Sequence, residues 1–204
     1  MMNDGIFFLW IAWMSVIVVF FFMASSDSRR TVLLFTLLGG ITLSPYTIPI
    51  GGVPAGAAGL LFALSAGLGV KHLKFLNLFS FMIRTATVSA AYGSISLLLF
   101  LDPVWLIWDR GWMLAIVSAA INIILYSDMK KRAAALILGL VFGDIILNVL
   151  FGSLGMPQEL LSKSWLDMTA GSFILIALWS SMERSSRILQ AFLQTKNMPK
   201  EKQG

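Results

Sequence analysis

The chain has 204 residues, of which 58% are hydrophobic and only 12% are charged, whereas a soluble domain typically carries about 25% charged residues. This composition excludes an ordinary water-soluble globule. The sequence holds no cysteine and one histidine, which excludes disulfides, thiolate metal sites, thiol nucleophiles and a multi-histidine metal centre. The net charge of +5 is concentrated in basic clusters beside apolar segments, which favours anionic phospholipid, and not nucleic acid, as the counter-charge.

Apolar segments long enough to cross about 30 Å of hydrocarbon follow one another along the chain. They predict an all-α polytopic membrane bundle in residues 1–182. Short breaks with helix-capping residues such as Ser28 and Asp128 separate the segments, so consecutive helices are expected to be antiparallel. The seven predicted transmembrane helices lie near 5–24, 31–50, 54–70, 77–101, 111–126, 133–153 and 165–182.

Two segments outside these helices have a distinct composition. The break from Pro45 to Pro54 is uncharged and contains three prolines, so it cannot continue as regular helix. It forms either an outer loop or a re-entrant segment whose backbone is satisfied by protein or a water-filled cavity. Residues 183–204 predict a cytoplasmic tail, amphipathic at first and then disordered and basic.

The basic residues predict the orientation of the bundle, because cytoplasmic loops retain Lys and Arg. Thirteen of the fifteen basic residues lie in alternate breaks, just inside the fourth helix or in the tail, and only Arg110 and Lys163 lie on the other side. This split predicts an N-terminus outside and a C-terminus in the cytoplasm. Losing or adding one helix would destroy the alternation.

Arg84 and Asp144 are the ionisable residues placed within the predicted hydrocarbon region. Arg84 lies about 10 Å from the cytoplasmic boundary and Asp144 about 16 Å from it. Arg84 can snorkel to the interface, pair with Asp144, or contact a substrate or ion. Asp144 is too deep to snorkel and must be neutralised by protonation, a cation or a partner.

Asn148 and Asn122 extend this candidate polar site. Asn148 follows Asp144 by one helical turn and shares its face, and Asn122 lies on the preceding helix. Together with Ser89 and Tyr92 they could form a polar track. The alternative is ordinary hydrogen bonding between helices, worth about 0.6 kcal/mol per contact.

Gly139 and Gly143 have the small-xxx-small spacing that permits close helix approach. They lie about 140° around the helix from Asp144 and Asn148. The helix therefore has two protein-facing sides and is expected to be central. The glycine face could also receive a membrane-protein partner.

The sequence lacks zinc-protease, phosphate-loop and dinucleotide signatures, and it predicts no enzyme and no cofactor. Two functions stay open. The first is a non-enzymatic scaffold or accessory subunit. The alternative is a small-solute or ion transporter that uses the polar track around Asp144, and an aqueous path to that residue would separate the two.

The aromatic opening Phe7-Phe8-Leu9-Trp10-Ile11-Ala12-Trp13, followed by Phe20-Phe21-Phe22-Met23 and by Arg29-Arg30, resembles the start of the YphA-type small integral membrane proteins of spore-forming Firmicutes. The length and the number of segments are also similar. The resemblance implies a multi-pass protein of a bacterial plasma membrane. It carries over no activity and no site residues.

Overall fold

The structure, a computed structural model, describes residues 5–197. Within them the chain forms seven α-helices, a two-stranded β-hairpin between α2 and α3, and a short 3₁₀ turn, Pro103–Trp105, after α4. The helices are α1 (Ile6–Phe22), α2 (Ser28–Leu43), α3 (Ala57–Val70), α4 (Phe75–Leu101), α5 (Arg110–Leu125), α6 (Met129–Ser153) and α7 (Lys163–Asn197).

The break between α2 and α3 differs most from the prediction. The helix predicted over 31–50 ends at Leu43, and the next residues form strands β1 (Thr47–Ile50) and β2 (Val53–Gly56). The strands pair antiparallel, with Thr47 opposite Gly56. Gly51 and Gly52 both have positive φ, 58° and 88°, as a tight hairpin turn requires. The segment is therefore neither helix nor irregular loop.

The helix termini follow capping chemistry at two of the breaks. The Asp27 carboxylate accepts a hydrogen bond from the Arg29 backbone N–H at the start of α2. Asp109 accepts one from Gly111 N–H at the start of α5. Both carboxylates satisfy backbone donors that would otherwise be unpaired at a helix N-terminus.

Helix α6 contacts α3, α4, α5 and α7, in agreement with the central position predicted for it. It packs closely against α4, where a Cβ on Gly139 would lie 2.9 Å from Val88 and a Cβ on Gly143 would lie 2.5 Å from the Tyr92 ring. The glycine face is thus filled by α4 of the same chain. A partner protein on that face would have to displace α4.

In the described part of the chain, three helices are long and apolar enough to cross a membrane, namely Phe75–Leu101, Met129–Ser153 and Lys163–Gln190. Helices α1, α3 and α5 are apolar but shorter. Large apolar side chains are widely exposed, including Phe22 at 83% and Phe75 at 81%. Contiguous exposed apolar surface of this kind marks contact with lipid or with other membrane proteins.

Helix α7 continues through Glu183 without a break and ends at Asn197. The residues predicted to form an amphipathic extension are therefore continuous with the last membrane helix. The basic end predicted to be disordered lies, from residue 198 onward, outside the described residues.

Candidate functional site

Asp144 connects three parts of the fold. One carboxylate oxygen, Oδ2, accepts a 2.7 Å hydrogen bond from the backbone N–H of Leu161. The other, Oδ1, accepts a 3.3 Å hydrogen bond from the Tyr92 hydroxyl on α4. The hydrogen-bond donors that Asp144 meets are therefore an amide and a phenol, which are both neutral.

Asn148 makes a second attachment to the segment between α6 and α7, which we call the connector and which also contains Leu161. Its side-chain Nδ2 donates to the Gln158 carbonyl at 2.6 Å. Because Asp144 and Asn148 are one turn apart on α6, they hold two points of the segment between α6 and α7. The prediction that they share a face is consistent with this arrangement.

The connector also pairs with the hairpin. The Gly56 N–H donates to the Leu160 carbonyl at 2.8 Å, and the Leu160 N–H donates to the Pro54 carbonyl at 2.9 Å. We call residues 47–56 together with 154–162 the cap. Asp144 and Asn148 attach residues 154–162 to α6. The backbone hydrogen bonds attach the hairpin, residues 47–56, to residues 154–162.

Leu161 is the residue on which the cap converges. Its φ is 53°, a left-handed conformation that costs a non-glycine residue about 1–3 kcal/mol. Its side chain is 1% exposed and packs against Gly59, where a Cβ would lie 2.5 Å from the Leu161 Cβ. The hydrogen bond to Asp144 and this burial both help to hold the strained backbone.

Asn122 lies deep in the bundle on α5 and is fully buried. Its Oδ1 and Nδ2 have no hydrogen-bond partner among the described residues, and neither has the Ser118 hydroxyl one turn earlier. Ser89 of α4 is also buried, and its hydroxyl has no hydrogen-bond partner among the described residues. A buried amide without a partner costs about 1–3 kcal/mol.

Arg84 lies apart from this group. Its guanidinium donates to the Leu125 carbonyl at 3.1 Å and lies 5.8 Å from the centre of the Tyr126 ring. Tyr92, which contacts Asp144, is eight residues further along α4, or about 12 Å. The Arg84–Asp144 pair that the sequence allowed is therefore not formed. Arg84 reaches the Leu125 carbonyl at the end of α5, whereas Asp144 reaches Tyr92 and Leu161.

Comparison with known proteins agrees with the membrane architecture. A family model described as YphA-like integral membrane protein matches residues 4–204. The chain belongs to this family. It is 23% identical over 173 residues to the uncharacterized protein YphA of Bacillus subtilis (strain 168), which covers 85% of each chain. No solved structure matches the YphA-like chain significantly.

A second polar cluster of this YphA-like protein was missed by sequence reasoning. Arg132 on α6 is 2% exposed and forms a bidentate ion pair with Glu183 of α7, at 2.9 and 3.0 Å. Its guanidinium also donates to the Ser180 hydroxyl and to the carbonyls of Tyr126 and Ile123. This clamp joins the end of α5, the start of α6 and the C-terminal half of α7.

A third buried polar contact fixes the N-terminus of α1. Asp167 on α7 is fully buried, and its two oxygens accept hydrogen bonds from Gly5 N–H at 2.9 Å and Phe8 N–H at 2.7 Å. The sequence signal for this contact is an acidic residue, Asp167, inside the predicted helix 165–182. It therefore supplies, from a distant part of the chain, the cap that α1 lacks locally.

Proposed function

We propose that this YphA-like protein is a non-enzymatic scaffold or accessory subunit of a bacterial plasma membrane. The observation that carries the proposal is that the polar residues of α6 bind the backbone of the cap. Asp144 accepts a hydrogen bond of 2.7 Å from the cap backbone, and Asn148 donates one of 2.6 Å to it. Side chains committed to holding backbone in place are suited to structure and poorly suited to binding and releasing a solute.

We also propose that all seven helices cross the membrane, with the N-terminus outside and the C-terminus cytoplasmic. The alternation of basic residues between successive connections supports this orientation. Residues 47–56 and 154–162, which form the cap, then lie on the outer side. The Arg132–Glu183 clamp lies at the cytoplasmic side.

The orientation can be measured directly, because the natural chain has no cysteine. We expect Glu159→Cys in the cap to react with a membrane-impermeant maleimide added to intact cells. Ser127→Cys, between α5 and α6, should react only after permeabilisation. Both positions are exposed, so accessibility to reagent decides the result. The reverse pattern, or labelling of both positions from outside, would contradict the proposed orientation.

A transporter of small solutes or ions is the second candidate, and the buried polar atoms of Asn122 and Ser118 favour it. Unpaired polar groups between helices are typical of positions that bind water or a polar solute. In this alternative, Asn122 and Asp144 would mark the path, with Asn148 beside them. Arg84 would lie outside the central part of this path.

Thiol accessibility separates the two candidates. Under the scaffold proposal, we expect Asn122→Cys in the folded protein to resist a water-soluble methanethiosulfonate reagent, because such reagents attack the hydrated thiolate. Ser127→Cys is the reactive control, and denaturation in SDS should make both thiols react. If Asn122→Cys reacts within about tenfold of the control rate, water reaches the site, and the transporter becomes the better explanation.

A further inference from the structure

A small cleft lies at the end of the bundle where α4 and α6 begin and α5 ends. Its volume is about 140 Å³, well below the roughly 300–1,000 Å³ of pockets for drug-sized ligands. It therefore suits a single small group and not a whole metabolite. The described residues that line it include two cations and no carboxylate: Leu73, Asn77, Ser80, Phe81, Arg84, Tyr126 and Lys131.

Arg84 is positioned in this cleft by its neighbours. It donates to the Leu125 carbonyl at 3.1 Å and packs beside the Tyr126 ring. That ring is itself fixed, because the Tyr126 hydroxyl donates to the Phe81 carbonyl at 3.0 Å and contacts the Thr85 hydroxyl at 3.2 Å. The bond to Leu125 occupies one of the five N–H donors of a guanidinium.

The donor set fits a phosphate group. A guanidinium offers planar paired donors and an ammonium offers a point charge, and both bind phosphate. Asn77 and Ser80 add an amide and a hydroxyl on the same face of α4. The adjoining face of α4 exposes Leu76 at 80% and Ile83 at 54%, where acyl chains would lie.

We propose that this cleft binds the phosphate of an anionic lipid headgroup. The site adds a specific headgroup contact to the general lipid contact expected of a membrane protein. It rests on the proposed orientation in one respect, which is the leaflet that supplies the lipid. Failure of the orientation would appear in the cysteine labelling. Failure of the lipid site would appear in detergent, where orientation has no role.

The test measures binding of phosphatidylglycerol to the purified full chain in mild detergent. Phosphatidylcholine, which carries a phosphate but no net charge, is the comparison and should bind more weakly, because its ammonium group repels the two cations of the cleft. A basic residue at a membrane surface changes lipid affinity by about fivefold. We therefore expect affinity for phosphatidylglycerol to fall about fivefold in Lys131→Gln and roughly 25-fold in Arg84→Gln/Lys131→Gln. The exposed single site Lys131 keeps the test usable if the double variant does not fold.

The matched control removes the same charge elsewhere. Arg29 and Lys130 are exposed and lie outside the cleft, so Arg29→Gln/Lys130→Gln should keep affinity close to that of the natural chain. Equal losses in the two double variants, or no loss in either, would overturn the proposal.

Inorganic phosphate identifies the source of the phosphate group. The melting temperature is measured in phosphate and in chloride at equal ionic strength. A lipid site predicts that phosphatidylglycerol protects the natural chain and that inorganic phosphate does not. Protection by inorganic phosphate that disappears in Arg84→Gln/Lys131→Gln would keep the phosphate chemistry and overturn the lipid as its source.

Discussion

Glu183→Ala is expected to lower the melting temperature in mild detergent by about 6 °C or more. The change leaves the Arg132 guanidinium, 2% exposed, without its carboxylate. Removing one partner of a buried ion pair costs about 3–5 kcal/mol. We expect the lower end of this range because the Glu183 side chain is itself 33% exposed. For a chain of this size, each kcal/mol shifts the melting temperature by roughly 2–4 °C.

Two comparisons make this result specific. Glu159→Ala removes the same side chain from an exposed position, and we expect a change within about 0.5 kcal/mol. The double variant Arg132→Met/Glu183→Leu should recover much of the loss, because apolar replacement of a buried pair is often neutral or stabilising. A small effect of Glu183→Ala, equal to that of Glu159→Ala, would show that the clamp does not hold α7.

Asp144→Ala is expected to destabilise the protein by about 2–4 kcal/mol. The Leu161 N–H and the Tyr92 hydroxyl lose their acceptor, and each unsatisfied buried group costs about 1–3 kcal/mol. Tyr92→Phe removes one partner only, and we expect a loss of about 1 kcal/mol. Asp144→Asn should fall between the two, since its amide oxygen can still accept from Leu161. The measurement is thermal unfolding in detergent.

The same measurement tests the separation of Asp144 from Arg84. Because the two side chains do not share a partner, the losses in Asp144→Asn and Arg84→Gln should add in the double variant within about 0.5 kcal/mol. Recovery of stability in the double variant would instead indicate an ion pair. That outcome would contradict the arrangement of α4 and α6.

The helices could be predicted from the sequence because long apolar segments with short polar breaks have few other solutions in a membrane. The hairpin could have been found as well. Gly51-Gly52 between two short apolar stretches is a hairpin signal. The prolines at 49 and 54 obscure it, because proline lacks a backbone donor and is rare in paired strands.

The polar contacts could be predicted only in part. Asp144 is conspicuous because a carboxylate in an apolar segment must be satisfied. Its partner Leu161 is not readable from the sequence, since it depends on a left-handed backbone and on packing against Gly59. Arg132 looked like one of several basic residues in a connection, and only the position of α7 shows that it is buried.

Asp144 anchors the cap through the Leu161 amide, so hydrogen exchange at this amide is the decisive measurement. In the natural chain we expect this amide to be protected, because it donates to a partly buried carboxylate at 2.7 Å. In Asp144→Ala its exchange should accelerate by about tenfold or more, while the Phe8 amide, held by Asp167, keeps its rate. An unprotected Leu161 amide in the natural chain, or one unaffected by the substitution, would show that Asp144 does not anchor the cap.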